Sequence, residues 1–108
     1  MALKKKIVMS NGLPLEYHRI ALINIQPNQI ITILRHSYLN EEARQYEKDY
    51  ALGMIGDEPT FPYVDHEYIT VSFSDNIDIL SEGVMEGAYK LLKIHRPEFA
   101  DAEDVLEG

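Results

Sequence analysis

The chain is organised around a turn, Gln26-Pro27-Asn28, which separates two long segments of β-prone residues. Residues 15–25 and 29–38 are rich in isoleucine and in other residues that favour strands. Proline presets the backbone at the second position of a turn, and asparagine tolerates the left-handed conformation that the third position often needs. These features predict a long antiparallel hairpin as the centre of the fold.

The register of this hairpin depends on the length of its loop. A two-residue loop, Pro27-Asn28, pairs Ile25 with Ile30, Ile23 with Thr32, Ala21 with Leu34, Arg19 with His36 and Tyr17 with Tyr38. In this register His18 and His36 lie on opposite faces, since successive residues of a strand alternate. Both faces are apolar near the turn, so we expect other elements to cover both of them at that end.

Two further strands are predicted, one before and one after the hairpin. Residues 3–9 precede Asn11-Gly12, a pair that favours a tight turn because both residues reach positive φ readily. Residues 68–73 alternate, with Ile69, Val71 and Phe73 predicted to face inward.

Two helices are predicted. A short polar helix runs from its cap, Asn40, to about Leu52. A long helix begins at a cap formed by Asp75 or Asn76 and closes near His95, before a proline. Its apolar stripe contains Leu80, Val84, Ala88, Leu91 and Leu92. Gly83 and Gly87 either weaken this helix or permit close packing on a sheet.

The fold class that follows is α+β, in one domain over residues 1–108. We expect an antiparallel meander of about four strands, with the long C-terminal helix packed on it. The short polar helix is inserted before the last strand, and a loop spans residues 54–63. Residues 98–108 form an acidic, partly flexible tail, to be tethered by Phe99, Ala102 and Val105.

Charge and composition exclude several classes of function. The formal net charge is −8, and the only basic run is Lys4-Lys5-Lys6, which we interpret as a solvated strand edge. A protein that binds nucleic acid needs a cationic surface. No apolar run is long enough to span a membrane. The sequence therefore predicts neither a nucleic-acid partner nor membrane insertion, and the absence of cysteine excludes thiolate metal sites.

No motif for catalysis, cofactor binding or metal binding is present. The four histidines, His18, His36, His66 and His95, lack the spacing of a metal site, and no serine stands in a nucleophile elbow. We therefore predict no catalytic, cofactor-binding or metal-binding residues. The alternative, a small metal-dependent enzyme, requires a one-residue slip in register that brings His18 and His36 together.

Aromatic residues are the most suggestive surface feature. The chain has 7 tyrosines, and tyrosine is favoured at protein interfaces. The candidate protein-contact residues are Tyr46, Tyr50, Phe61, Tyr63 and Tyr68. Tyr46 and Tyr50 are four residues apart on the polar helix, so the alternative is that they pack this helix onto the sheet.

Several segments together resemble those of small tail-region proteins of siphophages that infect Gram-positive bacteria, most of all one from a Bacillus subtilis siphophage. The segments are Lys4-Lys5-Lys6-Ile7-Val8, Asn11-Gly12, Tyr17-His18-Arg19-Ile20, Ser37-Tyr38-Leu39-Asn40 and residues 99–105. The genes of this family lie near those for tail, baseplate and host lysis. The resemblance implies a fold related to a β-rich domain of a lactococcal phage receptor-binding protein, and no catalytic residues.

The resemblance leads to two functional expectations. The first is a non-enzymatic phage protein of the tail or host-attachment region, made in the host cytoplasm, carried on the virion and binding another tail component. The second is a phage protein outside the virion that binds and modulates a host protein through its negative charge. A homo-oligomer is left open, although no heptad or self-complementary strand is visible in the sequence.

Overall fold

The computed structural model describes residues 1–8, 12–53 and 63–105, which form an α+β fold around one antiparallel sheet. The sheet has five strands in the order β4-β3-β2-β1-β5. The strands are β1 (Ala2–Val8), β2 (Pro14–Gln26), β3 (Ile30–Tyr38), β4 (Asp65–Ser72) and β5 (Glu103–Val105). The predicted α+β class is therefore confirmed, but the sheet has five strands where about four were predicted, because β5 adds to the outer side of β1.

Three helices accompany the sheet: α1 (Glu41–Ala51), α2 (Phe73–Asn76) and α3 (Val84–His95). The predicted polar helix is confirmed as α1, and the Asn40 side chain caps it by accepting a hydrogen bond from Ala43 N at 2.9 Å. No helix in the described parts of the chain is long and apolar enough to cross a membrane.

The prediction of one long C-terminal helix is wrong. Its first part forms α2 and a 3₁₀ turn, Ile77–Leu80, and only α3 is a regular helix of 12 residues. The break comes at Gly83, which precedes the first residue of α3. Val84 is consequently exposed, whereas Leu80, Ala88, Leu91 and Leu92 are buried as predicted.

Gly87 explains why the two helical pieces pack so closely. A Cβ atom at this position would lie 2.5 Å from Ile79 O and 2.7 Å from Leu80 Cδ2. The close packing that the sequence allowed for is therefore real, but α3 makes it with the preceding 3₁₀ turn. We infer that the missing side chain lets the chain fold back on itself before it crosses the sheet.

The hairpin of β2 and β3 differs from its predicted register near the turn. Its loop has three residues, because Gln26 pairs with Ile30, and Asn28 adopts a positive φ of 63°. A bulge between Ile20 and Leu22 restores the predicted register further out, where Arg19 pairs with His36 and Tyr17 with Tyr38. The third loop residue and the bulged Ala21 thus compensate each other.

The acidic tail contains structure that the sequence did not predict. Phe99 is 1% exposed at the end of a 3₁₀ turn, Pro97–Phe99, and β5 pairs with the start of β1. The Lys run is consequently not at a sheet edge along its whole length, because Lys4 pairs with Glu103. Residues 106–108 lie outside the described part of the chain.

The two faces of the sheet have different environments. The inner face packs against α3 and the helical turns and holds the main core. Its members include Leu3, Ile20, Ile31, Ile33, Ile69, Ala88, Tyr89, Leu91, Leu92 and Phe99. The outer face carries α1 only over Tyr17 and Tyr38, where Ala43 packs against them.

The expectation that both faces are covered near the turn is wrong for the outer face. Leu22 is 48% exposed there and Tyr68 is 58% exposed, while α1 lies at the opposite end of the hairpin. The bulge contributes to this result, because it places Leu22 opposite Leu34 and thereby directs the Leu22 side chain to the outer face.

Candidate functional site

A buried polar network occupies one end of the inner face. His18 and Ser37 are both 0% exposed, and His18 Nδ1 lies 2.7 Å from Ser37 Oγ. Arg35, 4% exposed, donates to Ser37 Oγ and to Asp65 Oδ2, the latter at 3.1 Å. A second carboxylate, Glu67, lies 3.7 Å from Arg35 Nη2. The network joins three neighbouring strands, since its members come from β2, β3 and β4.

The hydrogen bonds of His18 assign its tautomer. Nε2 lies 2.9 Å from the backbone carbonyl of Lys5, which can only accept, so Nε2 carries the proton. Nδ1 then accepts from the Ser37 hydroxyl, whose oxygen also accepts from Arg35. Burial, with a further contribution from the Arg35 charge, lowers the pKa of His18 below its ordinary value of 6.5. The imidazole is therefore held neutral.

The Ser37–His18 pair has the spacing of a nucleophile and its base, but its surroundings do not suit catalysis. Neither side chain has exposed area, and the ring of Phe99 lies edge-on to His18 at 4.9 Å between centroids. A substrate would have to displace Phe99 to reach Ser37. The geometry supports a structural role, in which the network fixes the strand register and connects through Glu67 to Arg96 beside α3, at 3.0 Å.

This network was not predicted, although the alternation of residues along the two hairpin strands indicates it. In the predicted hairpin register, His18, Arg35 and Ser37 all have the parity of the inner face. Polar residues at core positions must be hydrogen-bonded to one another, because an unpaired buried polar group is costly. Counting parity for polar residues as well as apolar ones would have identified the cluster.

The outer face carries a row of aromatic rings at the start of β4. His36 pairs with His66 across β3 and β4, and Tyr63 stacks on His36 with 3.8 Å between centroids and 21° between planes. Tyr63 and Tyr68 meet His66 edge-on, at 6.0 and 6.3 Å. These rings form one continuous surface of alternating imidazole and phenol groups.

Beneath α1 the outer face is polar, and its side chains hydrogen-bond to one another. Arg19 Nη1 donates to Tyr38 Oη at 3.4 Å, and Tyr38 Oη donates to Glu47 Oε1 at 2.8 Å. Burial raises the pKa of Tyr38 to about 12, so its hydroxyl keeps its proton. The pKa of His36 is lowered, first by burial and then by the Arg19 charge. Its Nδ1 has no hydrogen-bond partner within the described residues.

An apolar row crosses β2, β3 and β4 next to the aromatic rings. Leu22 pairs with Leu34, and Leu34 pairs with Tyr68, so the three side chains lie side by side on the outer face. We call Leu22, Leu34, Tyr63, His66 and Tyr68 the outer-face patch. Four of its five side chains lie on the paired strands β2, β3 and β4, which makes the patch rigid compared with a loop.

The predicted contact residues fall into two groups. Tyr63 and Tyr68 belong to the outer-face patch, whereas Tyr46 and Tyr50 lie on α1 and are 41% and 39% exposed. The contacts that attach α1 to the sheet include those of Ala43 and Glu47. Phe61 lies outside the described residues. Leu22 and Leu34 were not predicted as contact residues, and the bulge that turns Leu22 to the face of Leu34 was not visible in the sequence.

The ionisable side chains of the described residues do not form a metal site. Nowhere in residues 1–8, 12–53 and 63–105 do three or more His, Asp or Glu side chains converge as a metal site requires. His18 and His36 lie on opposite faces, as predicted. A surface depression of about 310 Å³ beside the start of α1 is lined by Lys4, Glu16, Asn40, Glu41 and Glu42. Its lining is mainly acidic, and no histidine contributes to it.

Comparison with known proteins adds no relative. No protein-family model matches the sequence, and no curated protein or solved structure is significantly similar to it. The function therefore has to be inferred from the geometry of the two faces of the sheet.

Proposed function

We propose that the protein is a non-enzymatic protein-binding module, which uses the outer-face patch to bind a component of a phage tail or host-attachment apparatus. The observation that supports this proposal is the exposure of Leu22 on β2 and Tyr68 on the edge strand β4, on the same face of the sheet. Apolar and aromatic side chains grouped on a rigid exposed surface are typical of binding sites. The phage context comes from the sequence resemblance described above.

The chemistry of the patch indicates the kind of partner that it suits. Its immediate neighbours toward the turn are neutral: Asn24, Thr32 and Thr70 form the next row across the strands, and the two threonine hydroxyls are 3.2 Å apart. The chain as a whole has a net charge of −8. A partner that binds this neutral area needs an apolar or aromatic surface of its own, and it does not need to be basic.

The primary test is a binding experiment with matched variants. Tagged protein should capture a tail component from disrupted phage particles, and mass spectrometry should find the untagged chain in purified particles. Tyr68→Ser should weaken capture by at least about tenfold, which is typical of an aromatic residue central to an interface. Ile94→Ser is the control, because Ile94 is 59% exposed on α3, close to the 58% of Tyr68. Absence from particles together with no capture would refute the proposal.

The salt dependence of binding separates this function from the alternative, a phage protein that modulates a host protein. Binding through the neutral patch should change little with added salt. Binding through the negative surface should be strong at low salt and lost at moderate salt, because exposed charges are screened over about 8–10 Å in such buffers. A host protein that is released in this way, and whose capture is unaffected by Tyr68→Ser, would favour the alternative.

A further inference from the structure

The outer edge of β4 presents backbone groups that no described strand pairs with. Gln29 and Ser37 direct their carbonyls toward the β4 side, accepting from Phe73 N at 3.2 Å and Val64 N at 2.9 Å. In an antiparallel ladder these bonds alternate, so the odd-numbered residues of β4 bond to β3. His66, Tyr68 and Thr70 therefore direct their N–H and C=O groups away from β3. No described strand lies on that side.

This edge lacks most of the features that normally prevent strands from associating, and its two inward-facing carboxylates, Asp65 and Glu67, are held in ion pairs. It is eight residues long, contains no proline, lysine or arginine, and pairs with β3 along its length without a bulge. Natural sheets usually protect an exposed edge with one of these features. The opposite edge differs, because β5 has only three residues, two of them acidic. An unprotected regular edge is what a strand-to-strand interface requires.

We propose that β4 pairs with β4 of a second copy of the chain, antiparallel, with Tyr68 on the two-fold axis. In this register Tyr68 faces its own counterpart, and His66 faces Thr70 of the other copy. These are the residues whose backbone groups are free, so the pairing forms about six hydrogen bonds between the two chains. A two-fold interface of this kind uses the same surface on both copies, and the two sheets become one.

Charge does not oppose this pairing at the edge, although each chain carries −8. The two carboxylates of β4 are paired with two arginines on the inner face, where Arg35 contacts Asp65 and Glu67 and Arg96 contacts Glu67. The proposed register places Glu67 opposite Ile69 and Asp65 opposite Val71, so no carboxylate faces another. The remaining repulsion between the two copies is long-range, and moderate salt should therefore strengthen the dimer.

The interface is small, which sets its expected strength. An eight-residue strand is only about 26 Å long, and the contact is one strand wide, well below the roughly 800 Å² per partner of a standard interface. We expect a dimer with a Kd of about 1–100 μM. The pairing also joins the apolar rows of the two copies, from Leu22 through Tyr68 to their counterparts. The dimer does not depend on the proposed binding of a tail component.

The first test measures association of the purified chain. Sedimentation from about 1 μM to about 1 mM should show a reversible monomer–dimer equilibrium that tightens with added salt. Thr70→Pro removes a backbone donor that faces away from β3, so it should abolish the dimer and keep the fold. Thr70→Val is the control, because it removes the hydroxyl and keeps the donor. A chain that is monomeric throughout, or whose dimer survives Thr70→Pro, overturns the proposal.

The second test reports the register and does not depend on how proline is tolerated. The chain has no cysteine, so single-cysteine variants can be compared directly. Tyr68→Cys places two thiols in a directly opposed pair, with Cα atoms about 5.5 Å apart, which suits a disulfide. Thr70→Cys places them about 13 Å apart along the strand. Tyr68→Cys should therefore cross-link under mild oxidation and Thr70→Cys should not. Equal cross-linking of the two variants, or none by Tyr68→Cys, contradicts the proposed pairing.

Discussion

The two faces of the hairpin carry the same pair of residue types in very different environments. His18 and Arg35 lie on the inner face, and their sequence neighbours Arg19 and His36 lie on the outer face. The inner pair is almost completely buried and belongs to a network with Ser37 and two carboxylates. The outer pair is partly exposed, with Arg19 22% exposed and His36 stacked beneath Tyr63.

This difference distinguishes polar residues that stabilise the fold from polar residues that remain accessible to a binding partner. The inner groups use their hydrogen-bonding capacity on one another, and they are sealed by Phe99. The outer face keeps exposed rings and aliphatic groups that its own contacts do not require. Four matched pairs of substitutions, one member on each face, can break or sharpen this contrast, and they follow from the largest expected effect to the smallest.

The largest difference is expected between the two arginines. Arg35→Met should lower the free energy of unfolding by about 3 kcal/mol, because it leaves Asp65 and Glu67 without their buried partner. Arg19→Met should cost about 1 kcal/mol or less, since its contact with Glu47 is 3.8 Å long and partly solvated. Urea titration of both variants measures this. Equal losses would show that the outer ion pair matters as much as the inner one.

The two histidines should make the protein less stable in acid. Burial lowers the pKa of both His18 and His36 below 6.5 in the folded chain, so the unfolded chain binds protons more readily. Stability is then complete above pH 6.5 and is lost as the pH falls below it, with a slope of at most about 1.4 kcal/mol per pH unit for each group.

A matched pair of variants assigns this pH dependence to its sources. His18→Gln and His36→Gln should each reduce the slope between pH 6.5 and 5, and the inner substitution should have the larger effect because His18 is fully buried. Urea midpoints measured across this range provide the comparison. A slope that neither variant changes would place the acid sensitivity in the carboxylates.

Two tyrosine hydroxyls allow a smaller and cleaner comparison. The Tyr89 hydroxyl joins β2 to the residue before β1, accepting from Ile20 N at 2.9 Å and donating to Met1 O at 2.5 Å. Tyr89→Phe should lower the free energy of unfolding by about 1–3 kcal/mol, because it leaves the buried backbone N–H of Ile20 without its hydrogen-bond acceptor. Tyr38→Phe removes the hydrogen bond to Glu47, but Glu47 keeps its ion pair with Arg44. This substitution should therefore lower the free energy of unfolding by only about 1 kcal/mol. Thermal unfolding of both variants distinguishes the two cases.

The sequence predicted the central strands and α1 well because their signals are local. Alternation located the strands, and a proline-containing turn and an asparagine cap located the hairpin and the helix. The features that the sequence did not predict depend on packing between distant segments. The bulge at Ala21 and the short strand β5 are fixed by contacts with other strands. Gly87 packs against the preceding 3₁₀ turn, which hydrophobic periodicity alone predicts as part of the helix.

The candidate site was predictable only in part, for a related reason. Tyr63 and Tyr68 were identified by residue type, but their grouping with Leu22 and Leu34 required the bulge to be known. The unpaired edge of β4 was not visible either, because strand order in a sheet is a property of the whole chain. Residue type therefore indicated the kind of surface, and topology determined where it lies.

The smallest expected effect on stability is the one that bears most on function. Tyr68 and Ile69 are adjacent in β4, and they are 58% and 3% exposed. Tyr68→Thr should change the free energy of unfolding by no more than about 0.5 kcal/mol, as most exposed substitutions do. Ile69→Thr should cost about 2 kcal/mol or more, because it removes core contacts and buries a hydroxyl.

This last comparison is best made at about 0.1 μM, well below the expected Kd, where the proposed dimer is largely dissociated and cannot contribute to stability. If Tyr68→Thr leaves thermal unfolding of the monomer unchanged but reduces capture of a partner, the exposed ring is retained for binding. A loss of stability as large as that of Ile69→Thr would instead mean that Tyr68 supports the fold of the isolated chain. In that case the outer-face patch would have to be regarded as a second core, and the contrast between the two faces would no longer hold.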